Sequence, residues 1–344
     1  MRRVILAVTV LILIAAALAA WQIQTRLVEP FKGYTAAEQF VEIAPGSSTR
    51  AIGRTLVVAG VVRDALVFRI ALWQSGAARR LKAGEYRFDR PMTAADVLDK
   101  IARGDVHLHA ITFPEGLTTR EMARIFEAQG FGRAQDFIAA AGDAGPIADL
   151  DPAARDLEGY LFPETYALPR RGTPSELVAM MTSRFQRVFG PRLRQEAAER
   201  GLTVRQVVTL ASIVEKETAR TEERPLVAEV YLRRLKIGMP LQSDPTVIYA
   251  LTKAGRYNGN LTRENLQFDS PYNTYRHAGL PPGPIAAPGR GSIEAVVRPA
   301  ETDYLYFVSR NDGSHVFART LEEHNRNVLH YQVGPLREPR NRAR

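Results

Sequence analysis

Residues 4 to 21, VILAVTVLILIAAALAAW, form a run without a single charge, and Arg2 and Arg3 stand directly before it. A helix over such a run is long enough to cross the hydrocarbon core of a bilayer. The two arginines put the short N-terminal tip, within residues 1–21, on the cytoplasmic side. Ala17-Leu18-Ala19 resembles a signal-cleavage site, so a removed leader is the competing reading. The apolar run is long for a signal core, which favours a retained, single-pass anchor. On either reading the rest of the chain is exported. In a cell with two membranes it lies in the periplasm, attached to the inner membrane.

The chain has 344 residues, enough for two or three domains. It has no cysteine, which removes disulfide frameworks, cysteine zinc sites and thiol nucleophiles. The formal net charge is +9, part of it from PLREPRNRAR at the end, where four arginines face one glutamate. A basic balance suits nucleic acid, anionic lipid or an anionic polymer. No helix-turn-helix, RNA-binding or zinc-finger signature supports nucleic acid. The six histidines show no HExxH or similar spacing, so no metal site is expected. There is no G-x-S-x-G elbow, S-x-x-K pair or phosphate-binding glycine loop, and no cofactor is expected.

Residues 22–38 read as a polar stalk with Pro30 and Gly33. A small α/β unit follows over 39–112. FVEI is strand-like, STRAIGRTLVVAG and DALVFRIALWQSG are helical, and LKAGEYRF is a strand. MTAADVLDKIARG is a helix capped by Thr93, and VHLHAITF is a strand. Residues 113–155 read as a helical connector, opening on a capping box of Thr118 and Glu121. From 156 to 332 the pattern is mixed α+β. DLEGYLFPETYALP is poor helix material. Helices then start at Thr173-Pro174-Glu176 and at Thr203 with Gln206. Another covers RPLVAEVYLRRLKIG. A loop-rich span occupies 238 to 292, punctuated by aromatics. YLYFVSR and HVFAR flank the hairpin turn Asn311-Asp312-Gly313, and LEEHNRNVLHY closes the fold as a helix. Residues 333–344 read as a basic disordered tail.

The helix from Thr203 carries ASIVEKETA, residues 211 to 219. Val204, Val207, Val208, Leu210, Ala211, Ile213 and Val214 cover more than half its circumference. Arg205, Thr209, Ser212 and Lys216 fill the remaining, wet face. Glu215 and Glu217 fall at opposite edges of the apolar arc, ~160° apart, so they cannot be paired carboxylates of one site. A carboxyl beside apolar side chains is desolvated and holds its proton to higher pH, as a general acid for a glycosidic oxygen must. The simpler expectation is that each glutamate is paired with a buried cation such as Arg224, Arg233 or Arg234. Periodicity leaves that choice open for both. Downstream, LQSDPTV offers Gln242, Ser243 and Asp244 before a proline, with extended backbone expected. SPYNTYRHAGLPPGPIAAPG offers Tyr272, Asn273, Thr274 and Tyr275. Aromatic faces beside amides and hydroxyls suit a sugar ring, and a packed tyrosine-rich loop is the plainer alternative.

ASIVEKETA, RRLKIGMPLQSDPTVIYAL, YNTYRHAGLPPGPIAAPG, YLYFVSRNDGSHVFARTLEEHN, GYLFPETY and KAGEYRF with MTAADVL together resemble the YceG-like family of membrane-anchored endolytic murein transglycosylases. The resemblance runs from the anchor to about residue 331. It implies an α+β protein: an N-terminal transmembrane helix, a small LysM-like α/β subdomain over 39–112, then a mixed α+β catalytic domain over 156–332. It implies Glu217, the second glutamate of E-K-E, as the catalytic residue, with Glu215 supporting. Gln242, Asp244, Tyr272, Asn273 and Thr274 are then expected to hold the sugars and stabilise charge, with Glu164 as a site wall. Peptidoglycan glycan strands are the implied substrate and penicillin-binding synthases the implied partners. The implied reaction cleaves the MurNAc–GlcNAc bond to leave 1,6-anhydro ends and limits strand length. A hydrolytic muramidase using Asp244 as second carboxylate, and a non-catalytic peptidoglycan-binding adaptor, are the alternatives. The family often has Asn before the Arg of its N-R-L motif; here Arg233 precedes Arg234, with an expected lowering of the Glu217 pKa if that position touches the site.

Overall fold

A computed structural model of the chain describes residues 2 to 334; the last ten, within the expected tail, lie outside the described residues. The fold is mixed α+β and divides into two compact units. The first runs to Ala110 and takes in Ala167–Gly172. The second holds Ile111–Tyr166 and the described residues from Thr173 on.

In the first unit, helix α1 (Arg2–Val28) contains the apolar run, long and apolar enough to cross a membrane, with none of its most apolar stretch buried. The helix does not stop at Trp21. QIQTRLV contains no Gly or Pro, and Pro30 is the first residue that must break it. The expected stalk is therefore helical over its first part and packed. Leu27 is buried in the core of this unit and Ile23 packs against it. Arg26 pairs with Asp64 at 3.4 Å and Glu29 with Arg63 at 2.9 Å. Phe31 then bridges to Met92.

Strands β1 (Gln39–Ile43) and β2 (Gly84–Phe88) pair antiparallel with Val41 opposite Tyr86. Alternation turns Val41, Ile43, Tyr86 and Phe88 inward. Against them pack helices α2 (Thr49–Val58), α3 (Ala65–Ser75) and α4 (Ala94–Arg103), contributing Leu56, Phe68, Leu98 and Ile101. The buried Tyr86 hydroxyl donates to the Lys82 carbonyl at 2.9 Å. Strand β3 (Leu108–Thr112) follows.

The second unit opens with α5 (Thr119–Ala128) and α6 (Ala134–Ala141), the stretch expected to be a helical connector. Strand β4 (Thr165–Pro169) pairs with β3. Then come α7 (Pro174–Val188), α8 (Pro191–Glu199), α9 (Val204–Glu217) and α10 (Arg224–Lys236). The capping boxes at Thr118, Thr173 and Thr203 are all formed. The span 238–292 is not all loop: α11 (Asp244–Lys253) and the start of α12 (Arg290–Val297) interrupt it. Ser243 stands at the N-cap of α11 and Pro245 in its first turn, a start signal outweighed by the surrounding Gly, Asn and Pro. Strands β5 (Tyr306–Ser309) and β6 (His315–Ala318) form the expected hairpin, with Asn311 at φ 66° in its turn. Helix α13 (Leu321–Val328) follows.

The face of α9 expected to be wet is mostly covered. Thr209 and Ser212 are buried. The segment 282–289 lies across them: Ile285 N–H donates to Ser212 Oγ at 3.0 Å and Arg205 donates to the Pro282 carbonyl at 2.7 Å. Only Lys216 remains exposed there, donating to the Gly116 carbonyl at 3.1 Å.

Candidate active site

The two glutamates of α9 have opposite surroundings. Glu215 is held by a cation: Arg224, at the start of α10, reaches Glu215 Oε1 at 2.9 Å and Glu115 at 3.2 Å. Glu215 Oε2 accepts from Gly289 N–H at 2.9 Å and Ser292 Oγ at 2.8 Å, which ties the start of α12 to α9. Burial pushes the Glu215 pKa up, and these donors oppose the rise. A Cβ at Gly289 would overlap the Glu115 carboxylate, so a larger residue there would have to push that side chain aside. Both carboxylate oxygens of Glu215 are thus engaged by the surrounding structure.

Glu217, the last residue of α9, has no cation partner among the described residues. Tyr231 Oη on α10 donates to its Oε1 at 2.6 Å, and Ser243 Oγ donates to the same oxygen at 2.5 Å. Its Oε2 makes no hydrogen bond among the described residues, and the residue as a whole is partly exposed. Burial raises the Glu217 pKa above the ordinary glutamate value. The Ser243 and Tyr231 hydroxyls oppose that rise, the Asp244 charge adds to it, and His315 opposes it. The negative end of the α9 dipole also disfavours ionisation at this position. His315 is itself bound to Glu223, Nδ1 to Oε2, at 2.7 Å.

Ser243 occupies the N-cap of α11 but makes no capping bond; its hydroxyl is on Glu217 instead. A capping hydroxyl contributes about 1 kcal/mol to a helix, so local helix stability yields here to the site. The neighbouring Gln242 has a left-handed backbone, φ 52°, rather than the extended one expected before the proline. Non-glycine residues in this region cost about 1–3 kcal/mol and cluster at functional sites. The turn directs the Leu241 carbonyl to Arg234 Nη1 at 2.7 Å and the next side chain to Glu217. The Gln242 side chain is exposed, as is Asp244, whose Oδ1 accepts from Tyr275 Oη at 2.6 Å.

Other expected site residues fall elsewhere. Asn273 and Thr274 are 0% and 1% exposed. Asn273 Nδ2 donates to the Leu266 and Phe268 carbonyls at 3.0 and 2.8 Å. Thr274 Oγ1 accepts from Ser243 N–H at 3.0 Å. With their polar groups engaged and closed to solvent, Thr274 supports Ser243, and Asn273 Oδ1 accepts from Tyr275 N–H at 3.0 Å. Tyr272 packs against Tyr249, ring centroids 4.9 Å apart and planes tilted by 52°, beside Glu158 rather than Glu217. Glu164 is occupied by Arg184, 2.9 Å from Nη2. Arg233 donates to the Thr302 carbonyl at 3.3 Å and pairs with Glu229 at 3.7 Å, so the extra positive charge is spent away from Glu217. Sequence reasoning missed Tyr231, and it named Ser243 and Tyr275 among the polar and aromatic groups without giving either a role. Helical periodicity shows Tyr231 only as a core position on α10, and the three converge from separate segments.

The sequence profile of the YceG-like family matches residues 41–330. The chain belongs to the YceG-like family. Among its relatives is a Bacillus subtilis protein named endolytic murein transglycosylase, 32% identical over 315 residues, covering 87% of this chain and 86% of that protein. A Streptococcus pneumoniae protein of the same name is 34% identical over 321 residues; the match covers 85% of this chain and 58% of that longer relative. The crystal structure of a yceG-like protein from Listeria monocytogenes matches with a TM-score of 0.58 and 32% identity, covering 84% of this chain and 99% of that one.

Proposed function

We propose that this protein is an endolytic lytic transglycosylase that cleaves the MurNAc–GlcNAc bond of peptidoglycan with Glu217 as its one catalytic carboxyl. The supporting observation is the Glu217 environment: among the described residues no cation partner, two hydroxyl donors on Oε1 and no hydrogen bond to Oε2, with a raised pKa. Protonated Glu217 gives its proton to the glycosidic oxygen, and positive charge develops at C1 of MurNAc. The resulting carboxylate, steadied by Tyr231 and Ser243, takes the proton of the MurNAc C6 hydroxyl as that oxygen closes onto C1. One carboxyl serves as acid and then base, where most glycosidases use two. An attacking hydroxyl already on the sugar supplies a high effective concentration and makes water unnecessary. Asp244 and Tyr275 line the approach, and Gln242 presents its amide there. The names of the relatives, both endolytic murein transglycosylases, support the same reading.

In this reading α1 is a retained inner-membrane anchor with the rest of the chain in the periplasm, where the enzyme meets strands as synthases extrude them and limits their length. Penicillin-binding synthases are the expected neighbours. The first unit, with two helices between antiparallel strands β1 and β2, is proposed as a LysM-like glycan-binding module.

The test is product mass. Full-length protein in detergent, incubated with uncrosslinked glycan strands, is expected to release fragments one water lighter than hydrolysis products. Hydrated fragments would make it a muramidase, and strands bound without cleavage would make it an adaptor. A second measurement separates the first two readings. Asp244 raises the Glu217 pKa, so Asp244→Asn lowers it. The acid must be protonated, so the alkaline limb of the kcat/KM profile moves to lower pH while activity below that limb persists. A muramidase with Asp244 as its essential second carboxylate would instead lose activity at every pH.

A further inference from the structure

Away from Glu217, the second unit contains a cavity of about 590 Å³ lined by Arg155, Asp156, Glu158, Lys253, Tyr272 and Arg205, with three prolines completing the wall. Glu158, in DLEGY, lies deep in it. Its Oε1 accepts from Thr119 N–H at 2.9 Å, and Tyr249 Oη is 3.4 Å from Oε2. Burial pushes the Glu158 pKa up to about 7. The Tyr272 ring packs tilted against Tyr249, and Lys253 Nζ stands over both rings, 5.1 and 5.6 Å from their centroids.

The charges around this cavity are used unequally. Arg205 is committed to Asp151 at 3.0 Å and to the Pro282 carbonyl. Lys253, Arg155 and Asp156 have no oppositely charged partner among the described residues. Two unpaired cations and an unpaired carboxylate thus converge on one concave surface with an aromatic wall. That is how pockets for small charged ligands are built: apolar sides and a few placed polar groups. A neutral sugar needs none of these charges. A purely anionic polymer would meet Asp156 and, above its pKa, Glu158. The ligand that fits is a short peptide with two or more carboxylates and one ammonium.

We propose that this cavity binds the stem peptide carried by the glycan strand, with Lys253 and Arg155 taking its carboxylates, Asp156 its free diamino-acid ammonium and the Tyr272 ring an alanine methyl. The proposal rests on the peptidoglycan reading for the identity of the ligand, but not on cleavage.

The test uses full-length protein in detergent and a synthetic stem tetrapeptide with a free diamino-acid amine, titrated calorimetrically. Wild type is expected to bind it, and Lys253→Met or Arg155→Gln to weaken binding about tenfold, the effect of losing one modest charge contact. Both side chains are exposed and make no hydrogen bond among the described residues, so the fold is retained. In cleavage assays, wild type is expected to prefer stem-bearing strands over amidase-stripped ones. Lys253→Met is expected to lose that preference while keeping its rate on stripped strands. Absence of peptide binding, or binding that neither substitution weakens, overturns the proposal. If wild type cleaves neither kind of strand, the catalytic reading fails, and the peptide titration still decides the cavity.

Discussion

Glu217→Gln is expected to lower strand cleavage by at least about a thousandfold, since general acid–base groups each contribute about 10²–10⁴ and this carboxyl serves in both directions. The amide oxygen still accepts from Tyr231 and Ser243, so the pocket is kept and the transferable proton is lost. Strand binding persists, which separates this outcome from misfolding. Stability provides an independent check. A carboxyl whose folded pKa is raised costs the folded state stability as pH rises from the unfolded value through the folded one. Burial raises the Glu217 pKa in this way. The glutamine variant lacks that cost, so at pH 8 it should melt no lower than wild type. Any advantage should vanish once the medium is acid enough to protonate both forms of the wild-type carboxyl. Cleavage by Glu217→Gln within tenfold of wild type would remove Glu217 from the mechanism.

Arg224→Met is expected to destabilise the second unit by about 3–5 kcal/mol, the cost of stranding a buried ionic partner. Among the described residues Arg224 is the cation paired with Glu215, 2.9 Å away, and it also reaches Glu115 at 3.2 Å. Urea unfolding followed by fluorescence measures the loss. Adding Glu215→Gln to Arg224→Met should restore much of it, because a neutral pair no longer buries an uncompensated charge. Acidification should also shrink the penalty of the single variant, since a protonated Glu215 has no charge to strand. A loss under 1 kcal/mol would show that α9, α10 and α12 are held together by other contacts.

These substitutions test a distinction that the sequence contains only in part. Both glutamates sit at edges of one apolar arc, and 3.6-residue periodicity treats them alike. What separates them is a cation arriving from the start of α10 at one edge and two hydroxyls arriving from α10 and the approach to α11 at the other. Such convergence is set by tertiary packing, beyond the reach of local pattern. Local chemistry was legible: the threonine capping boxes, the Asn311-Asp312-Gly313 turn and the strand alternation at Val41 and Ile43 all appear where residue types place them. Helix α11 was hidden by the loop-forming residues around it. The burial of Thr209 and Ser212 was hidden because their cover comes from residues 282–289, distant in sequence. The resemblance to the YceG-like family pointed to Glu217 where periodicity did not choose.

The seam between α1 and the first unit has a mechanical meaning. A flexible leash would let a tethered domain sample a hemisphere above its attachment point. Here the helix leaves its apolar stretch at Trp21 and reaches Val28 without a break, about 10 Å of rise at 1.5 Å per residue. Leu27 is seated in the core, and ion pairs at Arg26 and Glu29 brace it. If residues 4–21 are the bilayer anchor proposed above, the first unit stands on a strut at a set altitude and tilt, and explores its surroundings by gliding in two dimensions.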